Sequence, residues 1–500
     1  MFESAELGHA IAKEDYARRV PALREGLLSA QMAVLDARKF PVLVLVNGVE
    51  GAGKGETAHV LAEWLDARHV ITHAFAERTD EEAARPAMWR YWRALPPKGK
   101  TGLFFGSWYT QPIVGRALGS LKRPALEESL DRIVALEELL AQEGVALVKL
   151  WFHISKAEQR KRFKAFERDE ATKWRVTPRD WDFHERYDAF RSVSEQVIRR
   201  TSTGHAPWHV IEGTDPRYRY VTAASLVREA MERGLARASV AGAPAPKPQP
   251  APTTASTLVA VDGKSILGGI DLAVKLAKGK YDKRLNALQG ELNLLSRHKR
   301  MRTRGVVAIF EGVDAAGKGG AIRRVAHALD VRSYQIVPIA APTEEERAQP
   351  YLWRFWRHVP RKGKFTIFDR SWYGRVLVER VEGFAAEEAW RRAYAEINEF
   401  ERQLHEGGLV VCKFWLQISE AEQLRRFEER QATGFKQYKI TDEDWRNRAK
   451  WGAYEVAASE MIERTSTEDA PWTLVAAEDK YAARVAVLEA LVARLERALG

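Results

Sequence analysis

Residues 312–319 read Gly312-Val313-Asp314-Ala315-Ala316-Gly317-Lys318-Gly319 and follow the apolar run 306–310 after one residue. Glycines at this spacing let backbone N–H groups converge on phosphate oxygens. The following helix adds its N-terminal dipole, and the lysine neutralises charge. Loops of this pattern usually end Lys-Ser or Lys-Thr, whose hydroxyl binds Mg²⁺. Here Gly319 follows the lysine, so a hard Mg²⁺ ion needs oxygen ligands from elsewhere. Asp314 inside the loop and Asp369 at the end of the apolar run 365–368 are the obvious suppliers. A strand ending in aspartate beside a phosphate loop is the Walker B arrangement. Asp369 opens the string Asp369-Arg370-Ser371-Trp372-Tyr373-Gly374-Arg375. The fixed guanidinium groups of Arg370 and Arg375 suit phosphate oxygens where geometry is demanding. Arg425, Arg426, Arg430, Lys436 and Lys439 form a further basic group, with Arg426 and Arg430 on one helical face. A solvated helix face and a lid that closes over phosphates both account for that group. Gly312, Gly317, Gly319, Arg354 and Arg357 complete the substrate-binding candidates.

The same loop occurs earlier. Gly48-Val49-Glu50-Gly51-Ala52-Gly53-Lys54-Gly55 precedes it by 264 residues, and the offset holds well beyond the loop. Trp89-Arg90 maps to Trp353-Arg354, Ser107-Trp108-Tyr109 to Ser371-Trp372-Tyr373, and Thr201-Ser202-Thr203 to Thr465-Ser466-Thr467. The chain is therefore two copies of one domain, and their differences act as an internal comparison. Asp314, Asp369, Arg370 and Arg375 become Glu50, Phe105, Gly106 and Gln111 in the first copy. The serine, tryptophan and tyrosine are kept, which assigns them to the fold and the charged positions to chemistry.

Short apolar runs separated by longer mixed-charge helical segments imply a parallel sheet covered on both faces. In the second copy these runs are 306–310, 334–340, 365–368, 410–418 and 472–476. In the first they are 42–46, 103–105, 145–154 and 208–211. Helical lead-ins are expected at about 20–38 and 280–297. Five prolines alternate through 239–257, making an extended spacer with nothing to bury. The expected organisation is a degenerate, inactive kinase-like domain at 1–238, a Pro/Ala-rich linker at 239–257 and a catalytic domain at 258–500.

Five hundred residues, 45% hydrophobic and 29% charged, describe a soluble globular chain with no apolar stretch of membrane-spanning length. The N-terminal residues carry no secretory pattern. The single cysteine, Cys412, excludes an intramolecular disulfide framework and fits a reducing cytoplasm. Its apolar setting reads as a buried structural thiol. A net charge of +11 favours a polyanionic partner. Nucleic acid, nucleotides, an acidic membrane surface and inorganic polyphosphate all qualify on charge. Trp353, Trp356 and Trp445 have the chemistry to stack on a base, although aromatic residues at helical spacing more often build a core.

Residues 342–347 (Pro-Thr-Glu-Glu-Glu-Arg), 351–356 (Tyr-Leu-Trp-Arg-Phe-Trp), the string from Phe368 to Arg375, and 465–467 with 470–472 resemble the polyphosphate kinase 2 family. The resemblance covers nearly all of both halves. It implies tandem P-loop kinase-like domains of α/β class, each a parallel sheet flanked by helices with a helical lid. It also implies Mg²⁺ dependence, a basic channel for polyphosphate, and catalytic roles for Asp314, Lys318, Asp369, Arg370 and Arg375. Two-domain members with a degenerate first copy use inorganic polyphosphate to convert AMP to ADP, so AMP and polyphosphate are the expected substrates, with no nucleic acid and no membrane. Asp314 and Asp369 are expected to hold the metal, and Asp314 is also placed to handle a proton. Two other readings remain at this point: a P-loop nucleoside monophosphate kinase using ATP, and a non-catalytic polyanion-binding protein. The sequence leaves open a homo-oligomer, and whether the loop cradles the nucleotide's phosphates or the polymer's end.

Overall fold

The computed structural model describes residues 1–241, 265–433, 440 and 442–500. They form two units, each built on one five-stranded parallel sheet. The first sheet comprises β1 (Val42–Gly48), β2 (Val70–Ala74), β3 (Thr101–Phe105), β4 (Ala146–His153) and β5 (Trp208–Glu212), in the order β2-β3-β1-β4-β5. The second comprises β6 (Gly305–Gly312), β7 (Tyr334–Pro338), β8 (Phe365–Asp369), β9 (Leu409–Gln417) and β10 (Trp472–Ala476), in the order β10-β9-β6-β8-β7. Read from opposite edges, the two orders are the same. This is the α/β architecture expected from the sequence. The strand boundaries shift by a residue or two, and β2 is an addition to the four strands read in the first copy.

The central strands β6 and β9 are buried on both faces apart from the final glycine of β6. Helices Lys278–Ser296, Lys318–His327 and Lys480–Leu499 cover one side of this sheet, where Leu288, Leu292, Ile322, Val325, Leu488 and Leu491 pack against Val306, Ala308 and Phe310. Cys412 on β9 belongs to the same core, and burial pushes its thiol up to about 12. It is thus the inert structural thiol its apolar run suggested. Trp353 and Trp356 are likewise core residues. Among the described residues no helix is long and apolar enough to cross a membrane.

The kept Ser-Trp-Tyr string has a structural task in both copies. Lys413, fully buried on β9, donates to Glu401 (2.7 Å), to the Tyr373 hydroxyl (2.9 Å) and to the Thr465 carbonyl (2.6 Å). Glu401 also accepts from the Trp372 indole (2.9 Å) and the Tyr373 hydroxyl (2.7 Å). All three ammonium protons are satisfied, as a buried charge requires. The first copy repeats the cluster with Lys149, Glu137, Trp108, Tyr109 and Thr201.

Candidate active site

The central strand β6 ends at the glycine-rich loop, and its neighbour β8 ends at Asp369. Both motifs therefore reach the carboxyl edge of the sheet at its centre, where open parallel sheets bind ligands. Gly312 has a φ of +141°, and a Cβ there would lie 2.3 Å from the Leu416 carbonyl oxygen on β9. Only glycine permits this approach. Helix Lys318–His327 starts immediately after Gly317, so its free N–H groups face the loop.

Lys318, Asp369, Arg370 and Asp314 line one cavity of about 510 Å³. Burial pulls the Lys318 ammonium below its ordinary value, against the attraction of Asp314 and Asp369. Its Nζ donates to the Gly312 carbonyl at 2.7 Å. Burial acts to raise the Asp314 carboxyl, but the Lys318 and Arg370 charges and the Asn447 hydrogen bond outweigh it and hold Asp314 ionised. Arg370 Nη2 lies 2.9 Å from Asp314 Oδ1, and Asn447 Nδ2 donates to Oδ2 at 3.0 Å. A carboxylate offers about four lone-pair directions, so each oxygen keeps one for a further partner.

Arg370 holds this position from the left-handed region, at φ +64°. Its counterpart in the first copy is Gly106, at φ +76°, where the conformation is free of Cβ strain. Strain of this kind gathers at functional sites. Arg370→Gly and Arg370→Ala both lose the guanidinium, and the glycine variant is expected to be the more stable by about 1 kcal/mol. Paired denaturant melts check this; equal stability would show that the backbone is unstrained.

The same cavity is walled by Arg323, Arg430, Lys480 and Arg484. These basic residues correspond to His59, Phe166, Pro216 and Tyr220 in the first copy. There, the buried guanidinium of Arg219 packs against the loop, and a Cβ on Gly53 would lie 2.2 Å from its central carbon. Arg219 donates to Glu56 (2.6 Å), Thr57 (3.0 Å) and the Gly213 carbonyl (2.7 Å). The first copy thus fills its phosphate side with an internal cation.

A second, narrower cavity of about 90 Å³ adjoins Asp314 and Arg370 from the other side, walled by Leu377, Val378, Trp415, Trp451 and Tyr454. The Tyr454 hydroxyl donates to Asn447 Oδ1 at 3.1 Å, while Glu382 holds Lys450 at 2.9 Å and Arg446 at 3.1 Å. Helix Asp442–Ala449 is thereby tied to the glycine-rich loop through Asn447. In the first copy Asn447, Tyr454 and Glu382 become Phe183, Phe190 and Leu118.

Several expected site residues are placed differently. Arg426 was expected beside Arg430 as a phosphate ligand. It does line the larger cavity beside Arg430, but it is buried there, and its guanidinium is taken up by the carbonyls of Ala315, Ala316, Ala477 and Glu478 and by Glu422. Arg162 makes the equivalent contacts to Gly51, Gly213 and Thr214 in the first copy, so this arginine braces the loop in both. Arg425 pairs with Glu422 on the solvent side. Arg354 donates to the Ala340 carbonyl (3.0 Å) and Arg375 to Glu379 (2.7 Å), and with Arg357 they stand outside the walls of both cavities. Lys436 and Lys439 lie outside the described residues. The sequence reading missed Arg323, Lys480, Arg484, Asn447 and Tyr454. The signal for each was present as a charged or polar residue that the first copy replaces.

Among the described residues no three His, Cys, Asp or Glu side chains gather into a complete metal-binding set. Two carboxylates beside a phosphate cradle suit a hard ion that keeps waters and takes phosphate oxygens as its other ligands.

A P-loop at the centre of a parallel sheet, an aspartate ending the next strand and a wall of cations define a P-loop kinase-like fold with a phosphate-handling site. The polyphosphate kinase 2 family model matches residues 10–238 and 275–499. The chain belongs to that family. It is 52% identical over its whole length to the polyphosphate:AMP phosphotransferase of Pseudomonas syringae pv. tomato, covering 99% of that protein. It is 37% identical over 476 residues to the polyphosphate:AMP phosphotransferase of Acinetobacter johnsonii, covering 94% of this chain and 95% of the relative. A crystal structure from Pseudomonas aeruginosa assigned to polyphosphate kinase 2 superposes with a TM-score of 0.89 at 50% identity, covering 100% of this chain and 99% of that one.

Proposed function

We propose that this chain transfers the terminal phosphate of inorganic polyphosphate to AMP, giving ADP, and that the second copy (258–500) does the chemistry. The first copy (1–238) turns nothing over, and 239–257 joins the two. The observation that carries the reading is the position of Asp314 and Arg370 in the wall between two unlike cavities. The larger, with Lys318, Arg323, Arg430, Lys480 and Arg484, suits a linear polyanion. The narrower, with Trp415, Trp451 and Tyr454, suits a nucleoside. A polymer end and an AMP phosphate would then meet at the shared wall, with the loop cradling the polymer.

A phosphomonoester such as AMP has a second pKa of about 6, so its phosphate is largely dianionic near neutral pH and attacks without a strong base. An AMP oxygen bonds to the terminal phosphorus as the bridging P–O bond breaks. The electron pair stays on the shortened polymer. The barrier lies in bringing two polyanions together, and Lys318 and Arg370 lower it by neutralising charge at the reacting groups. Asp314 fixes the Arg370 fork, and Asn447 fixes Asp314. Asp314 and Asp369 would hold Mg²⁺, which supplies further charge neutralisation on the phosphate oxygens. One free, buried thiol goes with a cytoplasmic location. Chelating divalent ions is expected to abolish ADP formation from AMP and polyphosphate, and added Mg²⁺ to restore it. An undiminished rate in chelator would remove the metal from this account.

A further inference from the structure

The first copy has Glu50 in place of Asp314 and no acid in place of Asp369, yet it keeps a cavity. About 240 Å³ is enclosed behind its glycine-rich loop, and its walls match the narrow cavity of the second copy position for position: Ile113 for Leu377, Val114 for Val378, Trp151 for Trp415 and Phe190 for Tyr454. Beside it, on the side that is basic in the second copy, the Arg219 guanidinium packs against the loop.

Three polar atoms on residues of this wall are buried and have no hydrogen-bond partner: Asn47 Nδ2, Trp151 Nε1 and His153 Nδ1. Asn47, Trp151 and His153 are themselves 7%, 4% and 0% exposed. The second copy satisfies the same positions internally. Trp415 donates to Gln417 at 2.8 Å, Gln417 donates to the Ile418 carbonyl at 3.0 Å, and Glu311 accepts from Ser371 at 2.8 Å. Buried polar atoms are normally paired, and three orphans in one cavity call for a ligand that pairs them.

Their hydrogen-bonding senses follow from their neighbours. Ser107 Oγ accepts the Tyr109 amide (3.4 Å), so its proton goes to Asn47 Oδ1 (3.2 Å) and Asn47 Nδ2 is left as a donor. The indole Nε1 is a donor only. His153 Nε2 lies 2.7 Å from Glu6 Oε1, and a carboxylate only accepts, so the proton sits on Nε2. Burial keeps the imidazole neutral, and Nδ1 is an acceptor. Two donors and one acceptor match a planar heterocycle with ring nitrogens that accept and an exocyclic amine that donates. Phe75, Phe105, Phe183 and Phe190 supply aromatic walls for such a ring; Lys54 and Arg191 also line the cavity, paired with Glu50 (2.9 Å) and Glu3 (2.7 Å), and are the cations that one phosphate would draw from those acids.

We infer that the first copy is a non-catalytic binding site for an aminopurine nucleoside monophosphate. The inference takes from the proposed function only the equivalence of the two cavities.

The test is amide hydrogen exchange on the full chain with AMP alone, read separately for peptides of each copy. AMP is expected to slow exchange in first-copy peptides spanning 105–114 and 183–194. IMP, which lacks the amine, is expected to bind there about tenfold or more weakly. His153→Leu is expected to remove the first-copy protection while ADP formation by the second copy continues. Trp151→Phe, which removes one donor and keeps a ring, is a milder variant and is expected to weaken the protection in the same direction. Protection confined to second-copy peptides would overturn the inference, and equal protection by IMP would overturn the aminopurine assignment. First-copy protection in a protein that forms no ADP would sustain this site and remove the proposed function instead.

Discussion

Asp369→Asn is expected to lower ADP formation by about 10²–10³-fold or more, while Glu50→Gln leaves it within about twofold of the parent. Each substitution neutralises one acid beside a P-loop: Asp369 ends a strand next to the loop of the second copy, and Glu50 lies inside the loop of the first, where Asp314 stands in the second. Asp369 shares its cavity with Lys318, Arg370 and five further cations. A carboxylate in a cavity built for phosphate repels the phosphate oxygens unless a hard metal ion sits between them, which is the argument for metal there. Glu50, by contrast, already pairs with Lys54 at 2.9 Å, and Phe105 stands where a second acid would be needed. Steady-state rates on folded proteins check both. Substantial turnover by Asp369→Asn, or collapse of Glu50→Gln at unchanged melting temperature, would reverse the assignment of the copies.

Lys413→Met is expected to destabilise the second copy by about 3–5 kcal/mol, because it leaves the Glu401 carboxylate buried without its counter-charge. For a unit of this size that lowers the melting temperature by roughly 10 °C. Burial already pulls the Lys413 ammonium below its ordinary value, with Glu401 holding it up. The pair is buried in the core at a desolvation cost that the Tyr373, Trp372 and Thr465 hydrogen bonds offset. Replacing both partners, Lys413→Met with Glu401→Leu, is expected to recover most of the loss, since well-packed apolar residues tolerate such a site. Thermal melts of the singles and the double check this. A Lys413→Met protein that melts like the parent would show that the ion pair contributes nothing.

The strands that carry the site were legible because they are buried on both faces and read as unbroken apolar runs. β2 was not, since Val70–Ala74 is a half-exposed edge strand whose Thr72 and His73 interrupt the pattern. The loop, Asp314, Asp369 and Arg370 came directly from motif spacing. The depth of Arg426 was not legible, because helical periodicity gives a face and not a depth, and at the cavity wall its guanidinium meets backbone carbonyls. Lys413 and Lys149 passed unread inside apolar strands, although a charge kept in both copies is a signature of a buried pair. The 264-residue offset held more than was taken from it. The replacement of Arg323, Lys480, Arg484, Asn447 and Tyr454 by uncharged or apolar residues marks the second copy's phosphate wall and its helix anchor without any structure. No motif could show that Arg219 fills the first copy's phosphate side, because its partners Glu56, Thr57 and Gly213 meet it only through the fold.

The most direct test of the central claim is ADP formation from AMP and Mg²⁺ by the purified chain, with inorganic polyphosphate or ATP as sole phosphate donor in parallel. The account predicts product with polyphosphate and none above background with ATP at the same phosphate concentration. Product with ATP alone would contradict it, and the basic cavity would then belong to an ordinary nucleoside monophosphate kinase.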